Sequence, residues 1–258
     1  MPNIHPTALI SPDARISSNV EIGPSVIIGK DVRIGAGCRI EGHAQVMNSV
    51  EIGEGCLLGH GAVIGGDPQD KGFSPTTLSH VVIGSGNVFR EHVTVHRSIY
   101  EGGVTRIGNG NFLMVGSHVG HDAVLGNDNT LANNCLLGGH VELGDRNFLG
   151  GGAAFHQFIR VGELCMVKGL SAVSQDVPPF IIVSGSNQVR GLNNIGMRRA
   201  GYDSSTIRNI RVGFGVMYLE GLARCAALEK ADSMDLFPEA RLFIDFFRNP
   251  SRKGICMP

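Results

Sequence analysis

The sequence predicts a parallel β-helix of stacked hexapeptide coils closed by a small helical segment. Three observations carry that fold class. An aliphatic residue recurs every six positions over most of residues 4–173. Glycine is abundant, 37 of 258 residues with no tryptophan, which means many tight turns at regular intervals. The hexad texture then stops at QDVPPF (Gln175 to Phe180), where consecutive prolines cannot keep donating to a ladder.

The first stretch of the ladder runs through Ile4, Ile10, Ile16, Ile22, Ile28, Ile34, Ile40, Val46, Ile52, Leu58 and Ile64 without a missing rung. It resumes at Ile83, Phe89 and Val95, skips once, and continues from Ile107 through Leu113, Val119, Leu125, Leu131, Leu137, Leu143, Leu149, Phe155, Val161, Val167 and Val173. A small or β-branched residue commonly sits four positions after each rung, as at Val20, Val26, Cys38 and Ala44. Period six matches neither an amphipathic helix nor an alternating strand. It is the pattern in which a short strand supplies one inward aliphatic, a turn follows, and three hexads close a triangular coil. Stacked coils pair their backbones about 4.8 Å apart, and each buried rung contributes roughly 1.5 to 3 kcal/mol before entropy is subtracted.

Two interruptions mark loops that leave this scaffold: GGDPQDKGFSPTTLSHVV between Ile64 and Ile83, and HRSIYEGGVTR between Val95 and Ile107. Loops on a rigid scaffold are where function concentrates. Beyond Val173 the texture turns helical. Asp203 can N-cap a segment carrying Ile207, Ile210 and Phe214, and a second apolar stripe runs through Leu242, Phe243, Phe246 and Phe247. The chain therefore divides into a β-helix over 1–189 and an α-helical domain over 190–258.

Composition narrows the function classes. A net charge of −1 gives no global field for nucleic acid. No apolar run is long enough to cross a bilayer and the start carries no signal-peptide pattern, so no membrane insertion and a cytoplasmic location are expected. The six cysteines lack C-x-x-C spacing, and four occupy the small-residue slot of the repeat, where a buried thiol packs well.

Coils of eighteen residues place residues 18 apart above one another. Val119, Leu137 and Phe155 then stack, and His121, Gly139 and Gln157 form the column two residues on, with Asp122 and His140 in the next. His118 and His156 flank these rungs, which puts four histidines on one face within three coils. Imidazole titrates near neutrality and suits proton removal from a hydroxyl or amine. Gly139 above His121 lets a ligand approach its backbone N–H, a donor suited to a developing oxyanion. Asn111, Asn129 and Asn147 stack on another face as an amide ladder.

The segment GSHVGHDAVLGN (Gly116 to Asn127), with LANNCLLGGH, AAFHQF, SQDVPPF and GLNNIGMRRAGY after it, resembles the acyl carrier protein dependent UDP-N-acetylglucosamine O-acyltransferases of lipid A synthesis over essentially the whole chain. The bare hexapeptide is shared by many acyl and acetyl transferases. HDAVLGN, HQF and QDVPP in this order are far more specific. The resemblance alone implies a left-handed coil, against the general rule that parallel crossovers are right-handed. It further implies transfer of a 3-hydroxyacyl chain from acyl carrier protein to the glucosamine 3-position of a UDP-sugar, in a homotrimer, with no cofactor beyond the carrier's phosphopantetheine and no metal.

By residue, the resemblance makes His121 the general base, Asp122 its acidic assistant and Gly139 the backbone donor to the thioester oxygen. Adjacent residues on a strand diverge, so a His121–Asp122 pair requires a turn there. His140 matches a residue near the phosphopantetheine arm and sugar, His118 and His156 match sugar contacts, and Gln157 matches a nucleotide-sugar contact. Asp70 matches a substrate contact in the first loop with Lys71 beside it, where many relatives place their lysine at the position of Gly72. Asn193, Arg198 and Arg199 match substrate contacts of the GLNNIGMRRAGY stretch, whose usual acidic residue is Ile195. Gly169 falls where the family limits acyl length, and a glycine leaves room for a longer chain. Arg190, Arg198, Arg199, Arg208 and Arg211 make a locally basic stretch with Asp203 as its sole acid, suited to a pyrophosphate or an acidic carrier protein. His96 or Lys168 of another subunit are further candidates for a shared site.

Three other readings differ in chemistry. The same transfer onto a 3-amino sugar would give an amide. A zinc-dependent carbonic anhydrase on the same helix would use His96, His118 and His121. A structural or ice-binding β-helix would need neither the loops nor the histidine cluster.

Overall fold

The structure, a computed structural model describing residues 1–258, is a left-handed parallel β-helix followed by four short helices. Three parallel sheets form its faces. The first contains Asn3–Ile4 and ascends to Met166–Val167, the second runs from Leu9–Ile10 to Ala172–Val173, and the third from Arg15–Ile16 to Arg160–Val161. Most strands are two residues long, because each hexad spends the rest of its length turning a corner.

Where no loop intervenes the register step is eighteen, as in Ile4↔Ile22 and Val119↔Leu137. Across the first loop it becomes 31 (Leu58↔Phe89), and across the second 24 (Val95↔Val119). Both loops thus leave the stack without breaking it. The rungs from Ile22 to Val173 are buried in one column, with Val20, Val26, Cys38 and Ala44 filling the corners. Ile4, at the open N-terminal end, stays 41% exposed.

The corners explain the polar residues. From Asn19 to Leu170 the regular corners each place a residue in the left-handed region, and the chain supplies Asn19, Ser25, Asp31, His43, Asp122, Asp128 and Asn134 there, besides several glycines. Short polar side chains and glycine tolerate that conformation best. Phe158 and Leu170 also adopt it, at φ 67° and 57°.

The amide ladder is present and one rung longer than the spacing of eighteen showed. Each carboxamide oxygen, at Asn87, Asn111 and Asn129, accepts both the backbone N–H and the side-chain N–H of the next asparagine up. Asn147 closes the series on the Cys165 N–H. The step from Asn87 to Asn111 is 24, since it crosses the second loop. All four are buried. Asn129→Ala should lower unfolding stability by about 2 to 3 kcal/mol, because it strands buried amides of Asn147. Denaturant melts will measure this, and a change below about 0.5 kcal/mol would contradict the ladder's structural role.

The C-terminal end of the coil is closed by Phe180 and an antiparallel hairpin of Ile181–Ser184 with Gln188–Leu192. That second strand straddles the 189/190 division, so the change of texture falls within a hairpin. Helices α1 (Asn194–Arg199), α2 (Ser204–Tyr218), α3 (Arg224–Asp232) and α4 (Pro238–Phe246) follow. Asp203 caps α2, its carboxylate accepting the Thr206 N–H at 2.7 Å, which holds the carboxyl at about 2. Phe214 and Tyr218 of α2 pack with Phe243 and Phe247 at centroid distances of 5.0 to 6.2 Å. Leu242 instead faces outward, 44% exposed. The tail returns to the coil through bridges of Ile255 with Asp176 and Met257 with Gln188.

Candidate active site

The corner between the second and third faces carries the site. There the backbone passes from strand His118–Val119 through Gly120 and His121 to Asp122, whose φ is +59°. This left-handed residue is the turn the pairing requires: it swings the carboxylate back toward its neighbour, and His121 Nδ1 lies 2.8 Å from Asp122 Oδ2. An ionised carboxylate only accepts, so Nδ1 carries the proton and Nε2 presents a lone pair. Both side chains are largely covered, 14% and 10% exposed.

Nε2 makes no hydrogen bond to the chain and lies against Gly139. A Cβ built on Gly139 would fall 2.5 Å from Nε2. The glycine is thus a steric requirement as well as a close-approach point. Elsewhere the corner amides of Lys30, Asn109 and Asn127 are capped by the side chain one coil above. No such cap reaches Gly139, and its N–H donates to no acceptor of the chain. A lone-pair base and an uncommitted N–H donor therefore stand side by side.

Asp122 is held from several directions. The Ser98 hydroxyl donates to Oδ1, the Ile99 N–H donates to Oδ2 at 3.2 Å, and the Asp122 N–H donates to Thr105 Oγ1 at 2.7 Å. His140, also left-handed, places Nε2 3.8 Å from Oδ2 and its ring edge-on to His121 at 5.1 Å. Phe158 continues that column, stacked on His140 at 4.4 Å, with the Arg252 guanidinium 5.3 Å from the centre of the Phe158 ring. Burial pushes His140 below the usual imidazole range. Asp122 opposes that shift, while His121 and Arg252 reinforce it. An open cavity of about 430 Å³ adjoins this column, lined by Tyr100, His140, Glu142, Phe158 and Arg252.

His118 sits one step from the pair. Its Nδ1 is 2.8 Å from Thr94 Oγ1 and its ring packs on His96 of the same chain at 4.6 Å. Burial and the neighbouring His121 lower His118, and burial with His118 and His121 brings His96 down to about 4. These rings are therefore neutral near pH 7.

Other sequence-derived candidates lie apart from the pair within one chain. His156 is exposed, its Nδ1 3.1 Å from the Gln157 carbonyl, and Gln157 is exposed in the His121 column one coil beyond Gly139. Asp70 and Lys71 are exposed in the first loop, where the Asp70 carboxylate accepts the Gly72 N–H at 2.7 Å. Gly169 occupies the corner between the first and second faces, beside Gly151. Asn193 caps α1 by accepting the Gly196 N–H and donates to the Leu164 carbonyl. With Arg199, Arg146, Phe148 and Met166 it lines a separate cavity of about 570 Å³; Arg198 is exposed outside that lining. None of Arg190, Arg198, Arg199, Arg208 and Arg211 pairs with a carboxylate.

The one trio of potential metal donors within 4.8 Å of one another is His121, Asp122 and His140. Its carboxylate is already engaged by protein donors on both oxygens, which is the bonding of an oriented dyad. His96, His118 and His121, the set that a zinc enzyme would need, do not converge in this way.

Ser98, Ile99 and Thr105 escaped the column arithmetic, whereas Phe158 falls in the Asp122–His140 column by the step of eighteen and was passed over. Ser98 precedes Asp122 by 24, the step that the second loop imposes, whereas only steps of eighteen had been followed.

Comparison with known proteins agrees with this fold. The family described as "Udp N-acetylglucosamine O-acyltransferase; Domain 2" matches residues 176–256, and "Bacterial transferase hexapeptide (six repeats)" matches 105–139. The "GMPPB C-terminal domain" matches 4–69. A curated acyl-(acyl-carrier-protein)–UDP-N-acetylglucosamine O-acyltransferase from Burkholderia orbicola is 41% identical over 164 residues, 62% of each chain. One from Herminiimonas arsenicoxydans is 39% identical over 73% of this chain and 74% of its own. The matched stretch thus spans 62% of the length of the first of these relatives. Among solved structures, LpxA from Acinetobacter baumannii is 36% identical with a TM-score of 0.93 over 98% of both chains. The UDP-N-acetylglucosamine acyltransferase from Campylobacter jejuni is 33% identical with a TM-score of 0.93, covering 99% of this chain and 100% of that one.

Proposed function

Because the chain belongs to the acyl carrier protein dependent UDP-N-acetylglucosamine O-acyltransferase family, we propose that it transfers a (R)-3-hydroxyacyl chain from acyl carrier protein to the glucosamine 3-hydroxyl of UDP-N-acetylglucosamine, the first step of lipid A biosynthesis. The observation that carries this reading is the free Nε2 of His121 beside the uncapped N–H of Gly139.

In this scheme Nε2 takes the proton of the 3-hydroxyl as its oxygen bonds to the thioester carbonyl carbon. The carbonyl π electrons move to oxygen, and the Gly139 N–H holds that oxyanion. Collapse re-forms the carbonyl and breaks the carbon–sulfur bond, and the departing thiolate of phosphopantetheine takes back the proton from His121. Asp122 keeps the tautomer and stabilises the transient imidazolium. No acyl-enzyme forms, and no step is assigned to a metal.

The wider assignments rest on separate observations. The unpaired arginines of the tail suit a diphosphate or an acidic carrier protein. Asp70, Gly169, Asn193 and Arg199 stand away from the His121 corner, which suits a site completed by a second copy. Phe148 and Leu136, 44% and 45% exposed on outer faces, offer apolar surface to such a neighbour in a homotrimer. Gly169 leaves space for a long acyl chain.

Mass spectrometry of the products from a panel of acyl carrier protein thioesters, with UDP-N-acetylglucosamine and its 3-amino analogue, tests the assignment. A 3-O-(3-hydroxyacyl) product favouring longer chains is expected. Preference for the amino analogue would move the reaction to amide formation, and no acyl product with either acceptor would refute it.

A further inference from the structure

We propose that Ser98 is a positioning residue for acyl transfer, the group that fixes the Asp122 carboxylate so that His121 is held in the base-competent orientation. This rests on the dyad reading above. Ser98 lies in the second loop and is fully buried. Its oxygen accepts the Tyr100 N–H at 3.0 Å, and its one hydroxyl proton is directed to Asp122 Oδ1. The Ile99 N–H meets Oδ2. Oδ1 is therefore tied to the loop, and Oδ2 faces His121 Nδ1.

The loop is itself anchored. The Ser98 carbonyl accepts the Ser79 hydroxyl at 2.7 Å, the Gly102 N–H donates to the Leu78 carbonyl at 2.7 Å, and Glu101 accepts the Leu78 N–H at 3.0 Å. Arg97, next to Ser98, reaches Asp67 and the carbonyls of Thr77 and Pro75, and covers Phe73 at 4.8 Å. Gly103 closes over the serine, where a Cβ would overlap its oxygen. A carboxylate on a short side chain rotates about its terminal torsion, which is broad for aspartate. The anchored hydroxyl removes that freedom from outside the reacting groups, and Ser98 has no path to the substrate of its own.

The test is a double-mutant cycle of wild type, Ser98→Ala, Asp122→Ala and the double variant, reading kcat, KM for the UDP-sugar and the thermal midpoint. Loss of one charge-assisted hydrogen bond corresponds to about a tenfold fall in kcat. That fall is expected in Ser98→Ala with KM within about twofold of wild type, and removal of Ser98 from the Asp122→Ala background should change kcat less than about twofold. Ser98→Cys, nearly the same size with a weaker donor, repeats the cycle should the alanine variant not fold, and its kcat falls between the two. Equal losses in both backgrounds, or wild-type kcat without the hydroxyl, would overturn the proposal. Wild-type protein lacking acyl transfer would instead sink the underlying reaction.

Discussion

Alanine at position 121 is expected to lower turnover about a thousandfold or more while leaving UDP-sugar binding close to normal. The imidazole is the one group at this corner with a free lone pair set beside an uncommitted backbone donor. Its truncation removes proton transfer and deprives Asp122 of the partner it orients. Binding survives because the nucleotide contacts are assigned to other parts of the chain. The fold should survive as well, since the coil is held by rungs such as Val119 and Leu137 whose packing does not involve the ring. Steady-state kinetics with acyl carrier protein thioester, paired with calorimetric titration of the UDP-sugar, separates the two effects. Turnover within about tenfold of wild type would remove His121 from the base role.

Period six dictates most of what the structure shows, because each hexad is locally complete: one inward aliphatic, one corner, one small filler. Counting by eighteen therefore placed His121 under Gly139 and Asp122 under His140. It could not place what the loops displaced. The second loop stretches the step to 24, and the residue that grips Asp122 was missed for that reason, although the same step from Asn87 lengthens the asparagine ladder. Phe158 was missed differently. It stands eighteen after His140, so the same count reaches it, but a bulky residue at a left-handed corner is unfavourable in isolation and belongs to no motif that would single out its stack on His140. Gly169 and Arg199 show another limit. Their motifs are legible in the chain, but their distance from His121 depends on which corner or helix each occupies, which the motif does not state.

Gly139→Ala should cost about a hundredfold or more in kcat with almost no loss of stability, a combination that few glycine substitutions give. The backbone at 139 is not in the left-handed region, so alanine fits its torsions. What it meets is not backbone but the far end of a side chain, with the new methyl 2.5 Å from His121 Nε2 and 2.6 Å from Cε1. The imidazole must swing aside, and the scaffold need not move. That displacement breaks the line from Nε2 to the acceptor hydroxyl and lengthens the bond to Asp122, while the methyl crowds the carbonyl oxygen that the Gly139 N–H would receive. A misplacement of about 1 Å in a reacting group is enough for a hundredfold loss. Kinetics and thermal melts on the same preparation measure both halves. A variant that keeps wild-type kcat would show that the ring tolerates displacement, and the arrangement of base and donor at this corner would then not be the catalytic one.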